Sequence, residues 1–443
     1  MRTCVSGAVL AVIWATNVSG GTVNQTIRPQ ERPQTQAGQG KIVLAAAEIT
    51  SSVRPVLRPA REVQQVTASS SNARFEAWVG AFKRRALEQG ISSATLDAAL
   101  RGVTYDPKVV KRDRNQSEFT KTIWDYLDSA VSDARIRNGK AALAKHRKTL
   151  EKIEAKYGVE KEIVAAIWGL ESAYGTFRGS DSTIRSLATL AFDARRSTFF
   201  EEQLIAALRI LDAGDVSASN MQGSWAGAMG HTQFMPTSYL DHAVDFTGDG
   251  KRDIWSDDPT DALASTAAYL AGFGWTSGLP WGVEVLLPEG FDYSNAKREL
   301  TKKPSDWARL GVVGVDGRPV SDHGLASILL PAGGQGAAFM IFDNFEVLER
   351  YNTADAYVIG VGHLADRIGG AGPIRAEWPR GDRALSFAER KELQQRLTQA
   401  GFDTQKIDGR IGPLTINAVR AYQLAEGLLP DGYASLRLLE RLR

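Results

Sequence analysis

Ile163-Val164-Ala165-Ala166-Ile167-Trp168-Gly169-Leu170 carries no charged side chain and runs straight into Glu171-Ser172-Ala173-Tyr174-Gly175. A run that is apolar on every side predicts a helix buried all round. A carboxyl group at its end is expected to lie among apolar walls, where desolvation lifts its pKa towards that of a usable general acid. The competing reading is a glutamate at a helix end whose head reaches water. The company further along favours the first. Gly223-Ser224-Trp225-Ala226-Gly227-Ala228-Met229-Gly230-His231-Thr232-Gln233-Phe234-Met235-Pro236 is rich in Gly and Met, with Ser224 and Gln233 towards its two ends. Glycines let backbone approach a ligand closely, and the aromatic and methionine groups supply an apolar floor. A tight helix-packing turn is the plain alternative.

Helical texture extends on both sides of this centre. Phe75, Trp78, Val79 and Phe82 recur at intervals of three and four, and Leu87, Ile91 and Leu96 follow with small slips. The stretch 117–136 is again helix-like, with Phe119, Ile123, Trp124 and Leu127 on one side. Leu150, Ile153 and Tyr157 continue the pattern until Gly158 breaks it. Gly- and Pro-rich stretches around 311–336 read as loops or short strands. The core is therefore expected to be mainly, but not purely, helical.

The first seventy residues differ in kind: they hold a single aromatic, Trp14, no Asp, and four prolines. Such a segment buries too little apolar surface to offset the entropy of ordering it. Met1-Arg2 followed by the apolar run 8–15 has the order of a secretory signal, and the run is far short of the ~20 residues a membrane span needs. Residues 15–17 and 45–47 both offer small residues for cleavage. Cys4 precedes the apolar run, too near the start for lipidation. A soluble exported protein is expected.

Composition closes off other classes. A hydrophobic share of 43% and a charged share of 23% describe an ordinary globular chain. A net charge of +2 gives no field to attract nucleic acid. One cysteine excludes an internal disulfide framework, and five scattered histidines leave no pair at helical metal-ligand spacing, which disfavours a zinc peptidase or amidase.

After the punctuated stretch 369–379, read as a linker, comes a compact unit of about sixty residues, a size that supports only a small core. Ser386-Phe387-Ala388-Glu389 is a capping box. The helix it opens carries Leu393 and Leu397 and stops at Gly401. Gly412-Pro413-Leu414-Thr415 leads into a second helix with Ile416, Val419 and Tyr422, and a third carries Leu436, Leu439 and Leu442. The pattern D-G-x-x-G-P-x-T followed by A-V-x-x-Y-Q resembles the three-helix peptidoglycan-binding module, with Tyr422 where that module usually has Phe.

The Glu171 segment, the 224–236 loop and the 245–269 stretch, in that order, resemble the B-type lytic murein transglycosylases, a lysozyme-like family acting on bacterial peptidoglycan. The resemblance covers about residues 75–368. It implies a mainly α, α+β lysozyme-like catalytic domain over 71–370, following the export signal and disordered segment that the residues themselves suggest over 1–70. A linker over 371–382 and a small three-helix domain over 383–443 would follow. It also implies that Glu171 is the single catalytic acid/base and that Ser224 and Gln233 contact the sugar at the reaction centre. Arg195 and Arg196 match paired arginines suited to muropeptide carboxylates. Tyr269, Tyr351 and Asn352 match cleft residues, and Tyr126 matches more weakly. The family's Asn beside that first tyrosine is Ala268 here, which removes one polar contact. For each aromatic, core packing is the alternative.

Asp245-Phe246-Thr247-Gly248-Asp249-Gly250-Lys251-Arg252-Asp253 spaces its oxygens as an EF-hand loop does, with Gly at the sixth position. Its twelfth position is Ser256, not the bidentate Glu that motif requires, so an acidic turn is an equal reading. The family resemblance supplies the last carboxylate from further on, at Asp261. Asp245, Thr247, Asp249, the Lys251 carbonyl and Asp261 are thus the candidate ligands of a structural calcium ion; no cofactor is required for the chemistry.

One carboxylate without a second implies help from the substrate, since ordinary glycosidases use a pair. N-acetylmuramic acid offers a 2-acetamido carbonyl to stabilise C1 and a 6-hydroxyl to attack it. The expectation is non-hydrolytic cleavage giving 1,6-anhydro-muramoyl ends. A muramidase-type hydrolase using the same Glu171, or a non-catalytic wall-binding protein, are the alternatives. The partner is the glycan strand of peptidoglycan, with no nucleic acid, no membrane span and a monomeric state, in the periplasm of a Gram-negative bacterium.

Overall fold

A computed structural model of the chain describes residues 62–115, 121–193 and 196–443, with side chains from residue 71 onward except that of residue 115. The apolar run 8–15, both cleavage candidates, Cys4, Phe119 and Arg195 lie outside the described residues. Among the described residues no helix is long and apolar enough to cross a membrane.

The helix Lys161–Ser172 sits at the centre, with residues 163–169 buried. It packs against the helices Asp133–Lys145, Arg147–Tyr157, Thr260–Gly272 and Asp355–Gly369. Gly169 leaves room for the Tyr174 ring of the exit turn, from which a Cβ there would lie 2.5 Å. A second packed pair, Thr183–Phe192 and Ser197–Ala213, carries its own buried leucines and isoleucines into the same core.

The helix-like stretch 117–136 holds a boundary between two helices. Ile123–Ala130 ends at Val131, and Ser132 accepts the Arg135 amide to cap a new helix, Asp133–Lys145. A side-chain cap satisfies an orphan helix-start donor, so it favours a boundary over continuation. Leu87, assigned to an apolar stripe, is exposed on the long helix Glu62–Glu88, whereas Phe75 and Phe82 of that stripe are buried.

Residues 282–341 form a small antiparallel sheet, with strands in the order Val313–Gly314, Gly282–Leu286, Ala338–Ile341, Ser327–Leu329. Val283 stands opposite Met340, and Met340 opposite Ile328. Trp307, Phe291, Met340 and Ile328 build a core of its own.

The C-terminal helices Phe387–Gln399, Pro413–Ala425 and Leu436–Leu442 close around Leu393, Leu397, Val419 and Leu439. The Ser386/Glu389 capping box is formed in both directions. This unit touches the larger body: the Gly334 amide donates to Asp431 Oδ2 (2.9 Å), and Arg420 Nη2 donates to the Ala296 carbonyl (2.6 Å). The connecting segment is also laid onto the body. Glu284 accepts the amides of Arg375 and Ala376, Trp378 lies beside Trp124, and Arg380 grips both oxygens of Asp128 (2.7 and 3.0 Å).

Candidate active site

Glu171 is the last residue but one of the central helix, and the chain leaves that helix in an unusual way. Ala173, Tyr174 and Gly175 are successively left-handed, with φ of 49°, 60° and 84°. Non-glycine residues held there cost of order ~1–3 kcal/mol each and persist only where the surroundings over-determine them. Here they do: the Tyr174 hydroxyl donates to the Arg135 carbonyl (2.9 Å), and Ser172 Oγ accepts the Gly175 amide (3.0 Å). The sharp exit lets Glu171 point away from the turn that follows it.

Burial pushes the Glu171 carboxyl up to about 7, opposed by a hydrogen bond from the Tyr357 hydroxyl to Oε1 (2.6 Å). Its side chain keeps partial solvent access while most of its surroundings are protein. Tyr126, Tyr351 and Tyr357 all have phenols raised by burial and by the nearby Glu171 charge, so they stay neutral donors. Tyr126 reaches this cluster from the helix Ile123–Ala130 and packs over Gly360, one turn beyond Tyr357. Tyr357 was missed in the sequence, because nothing local links it to a glutamate 186 positions away. Its local signal is a lone Tyr in the first turn of the largely apolar helix Asp355–Gly369.

The 224–236 loop is folded by close backbone approach. Gln222-Gly223 pairs with Asp181-Ser182, and Gly223 and Phe234 each bridge to Met229. A Cβ on Gly223 would overlap the Ala228 carbonyl oxygen, so only glycine fits. Ser224 is fully buried, and its hydroxyl accepts the Ala228 amide (3.1 Å). It therefore shapes the loop as well as standing in it. Gln233, at φ 53°, donates to the carbonyls of Arg178 (2.9 Å) and Gly230 (2.8 Å), while its Oε1 is buried without a partner. A buried acceptor without a partner is a group that a ligand's donor could satisfy.

Phe234, Tyr269 and Tyr351 form an aromatic wall, with ring centroids 5.1–5.9 Å apart. Tyr351 donates to the Thr232 carbonyl (2.6 Å) and Tyr269 to the Arg350 carbonyl (2.6 Å). Asn352 is buried, and its Oδ1 accepts the Ala354 amide (3.1 Å). The structure thus joins Glu171, Tyr126 and Tyr351 in one cluster, and Gln233, Tyr269 and Tyr351 through one loop and wall. Arg196 stands apart from them: it pairs with Asp113 (2.5 Å) and lies over the Phe200 ring at 4.9 Å. Any anion reaching Arg196 would have to compete with Asp113.

The acidic loop also assembles. Oxygens of Asp245, Asp249 and Asp261 lie within 4.8 Å of one another, a span compatible with carboxylates around one Ca²⁺ at ~2.4 Å each. Asp261 is buried and accepts the amides of Phe246, Thr247 and Asp253, yet burial still pushes its carboxyl up. Asp245 is held below the usual range by loop amides and the Thr247 hydroxyl. The Lys251 amide donates to Asp249. Three convergent hard donors fit the ion. Ser256 does not belong to the set, because its carbonyl is taken by Arg178 and His231.

Residues 74–366 match the transglycosylase SLT domain family, and residues 388–442 match the putative peptidoglycan-binding domain family. Membrane-bound lytic murein transglycosylase B of Escherichia coli (strain K12) is 30% identical over 297 residues, covering 65% of this chain and 78% of that protein. SltB3 from Pseudomonas aeruginosa, solved in complex with NAG-anhNAM-pentapeptide, is 50% identical with a TM-score of 0.82, over 83% of this chain and 99% of that one. The Escherichia coli lytic transglycosylase Slt35, solved in complex with calcium, is 28% identical with a TM-score of 0.57, over 67% of this chain and 93% of that one. A buried acid at the end of an apolar helix, a glycine-built loop beside it and these relatives agree: the chain belongs to the SLT-domain family of lytic murein transglycosylases and carries a peptidoglycan-binding domain.

Proposed function

We propose that this lytic transglycosylase cleaves the β-1,4 bond from N-acetylmuramic acid to N-acetylglucosamine with Glu171 as its only acid/base. The observation that carries this reading is the Glu171 carboxyl, raised by burial to about 7 and opposed by a phenol, with no carboxylate among the described residues setting its titration. Such a group is available in both protonation states near neutrality, as a single acid-then-base requires. Protonated Glu171 gives its proton to the glycosidic oxygen as the C1–O4 bond breaks. The 2-acetamido carbonyl oxygen stabilises C1. The Glu171 carboxylate then takes the proton of O6–H while O6 closes on C1, which restores the acid and consumes no water. Gln233, Tyr269, Tyr351, Asn352 and Tyr126 would contact the sugars, with Ser224 shaping the loop that carries Gln233, and Arg196 would meet a stem-peptide carboxylate; the same role expected of Arg195 falls outside the described residues. Mass spectrometry of digested sacculi tests the chemistry: ends one water lighter than hydrolytic products are expected. Reducing muramic ends instead would make the enzyme a muramidase.

The domain organisation follows: catalytic domain over 71–370, linker over 371–382 and wall-binding module over 383–443, working as a monomer in the periplasm after export. The module raises local enzyme concentration on a polymeric substrate.

Asp245, Thr247, Asp249, the Lys251 carbonyl and Asp261 would hold a structural calcium ion, whose charge would balance the carboxylates and pin the loop. An ion bound by the folded state alone stabilises it by mass action, ~2.7 kcal/mol at a hundredfold excess over Kd. Millimolar calcium is expected to raise the melting temperature by several degrees, and a chelator to reverse it. Asp249→Ala is the clean variant, since its side chain carries one loop amide, whereas Asp261 carries three. It should abolish the calcium response and keep activity at low temperature. An absent thermal shift in the wild type would reduce the loop to an acidic turn.

A further inference from the structure

His231 sits inside the 224–236 loop, buried, and reaches three other segments at once. The Trp168 indole Nε1 on the central helix donates to His231 Nδ1 (3.2 Å). Indole nitrogen is a donor only, so Nδ1 must be bare and the ring proton must sit on Nε2. That proton is given to the Ser256 carbonyl (2.7 Å). Arg178 Nη1, 3.2 Å from the same Nε2, spends its own hydrogens on the carbonyls of Trp255 and Ser256 (2.9 and 2.6 Å). Burial first, and the Arg178 cation after it, push the imidazole below its usual range and favour the neutral ring.

The backbone of His231 is equally committed. Its carbonyl accepts the Ser172 hydroxyl (2.5 Å), one residue after Glu171, and its amide donates to the Ile254 carbonyl (3.0 Å). Gly175, in the left-handed turn, abuts the ring so closely that a Cβ there would lie 2.6 Å from it. Arg178 in turn supplies the carbonyl that Gln233 Nε2 binds. The acid-bearing helix, its exit turn, the Gln233 loop and the 254–256 segment therefore meet at this one residue.

We propose that His231 is a positioning residue, a neutral imidazole of fixed tautomer that sets the Glu171 helix end against the Gln233 loop. The position demands one acceptor and one donor on a rigid body about 2 Å apart, which a packing-only residue does not provide. The inference rests on Glu171 being the acid, so Glu171→Gln is measured alongside. His231→Leu keeps the volume and removes both bonds. Its kcat on soluble glycan is expected to fall about 10-fold or more with KM little changed, since small misplacement of a reacting group is costly in rate. Loosening the turn admits water to Glu171, so the falling limb of its pH–rate profile should move to lower pH. His231→Gln, which retains an acceptor and a donor, should recover most of both effects. Should His231→Leu fail to fold, Trp168→Phe removes the indole donor alone and should lower kcat with the same shift of limb. Wild-type kcat and pH profile in His231→Leu, or in Trp168→Phe where that variant stands in, would overturn the proposal. So would equal loss in His231→Gln and His231→Leu. An active Glu171→Gln would instead overturn the catalytic reading beneath it.

Discussion

Glu171→Gln is expected to leave wall binding intact and to lower turnover of peptidoglycan by about 10³- to 10⁴-fold, the upper range for a positioned acid/base. The amide is nearly isosteric and can still accept the Tyr357 hydroxyl that now holds Oε1 at 2.6 Å. What it lacks is the proton for the leaving oxygen and the carboxylate for O6–H. The fold should respond in the opposite sense. The folded carboxyl titrates near 7 against an ordinary value of 4.5. A raised pKa means that the stability this group contributes is fully present below about 4.5 and is lost as pH rises through about 7. The amide does not titrate, so the variant's melting temperature should gain on the wild type as pH rises across that window. Melting curves at pH 4 and pH 8 check this, and sacculus digestion at near wild-type rate would remove Glu171 from the mechanism.

The same pKa governs the wild-type profile. Only the protonated form can begin the reaction, so kcat/KM should fall about tenfold per pH unit above about 7. A limb at ordinary carboxylate pH would mean that water reaches Glu171 freely in solution.

How far the site could be read from the sequence depended on where its partners lie along the chain. The apolar run 163–170 and the glycines of 223–230 are local signals, because burial on all sides and close backbone approach each demand particular residue types in consecutive positions. The capping box at Ser386 was legible for the same reason. The break at Ser132 was legible in principle but was masked by the hydrophobic periodicity running through it. Tyr357 and His231 were not legible. Each acquires its role from a partner on another element, Glu171 for one and Trp168 with Ser256 for the other, and no spacing rule carries that information. The docking of Trp378 on Trp124 and Arg380 on Asp128 belongs to the same class: a Pro- and Gly-rich segment reads as a free linker until the surface beneath it is known. Water screens an exposed ion pair of this kind, so it guides the segment more than it holds it.

Tyr357→Phe separates the orientation of the acid from its burial. The phenol is buried with the carboxyl and donates to Oε1, so the bond favours the ionised form. Hydrogen bonds to charged groups contribute ~1.5–3 kcal/mol, equivalent to a loss of about 10- to 150-fold in kcat when the hydroxyl is removed. The ring remains, so the helix Asp355–Gly369 and its packing on the central helix should survive, with a small change in melting temperature at acid pH. Desolvation of Glu171 is then unopposed, and its pKa should climb beyond 7. The falling limb of the pH–rate profile therefore moves to higher pH, opposite to the shift expected for His231→Leu. The stability penalty of ionising Glu171 grows for the same reason, so the variant should lose stability faster than the wild type as pH rises above neutrality. A limb that moves to lower pH would mean that the ring without its hydroxyl lets water in, and that Tyr357 guards the acid instead of aiming it. Unchanged kcat and an unchanged limb together would make the 2.6 Å contact incidental to catalysis.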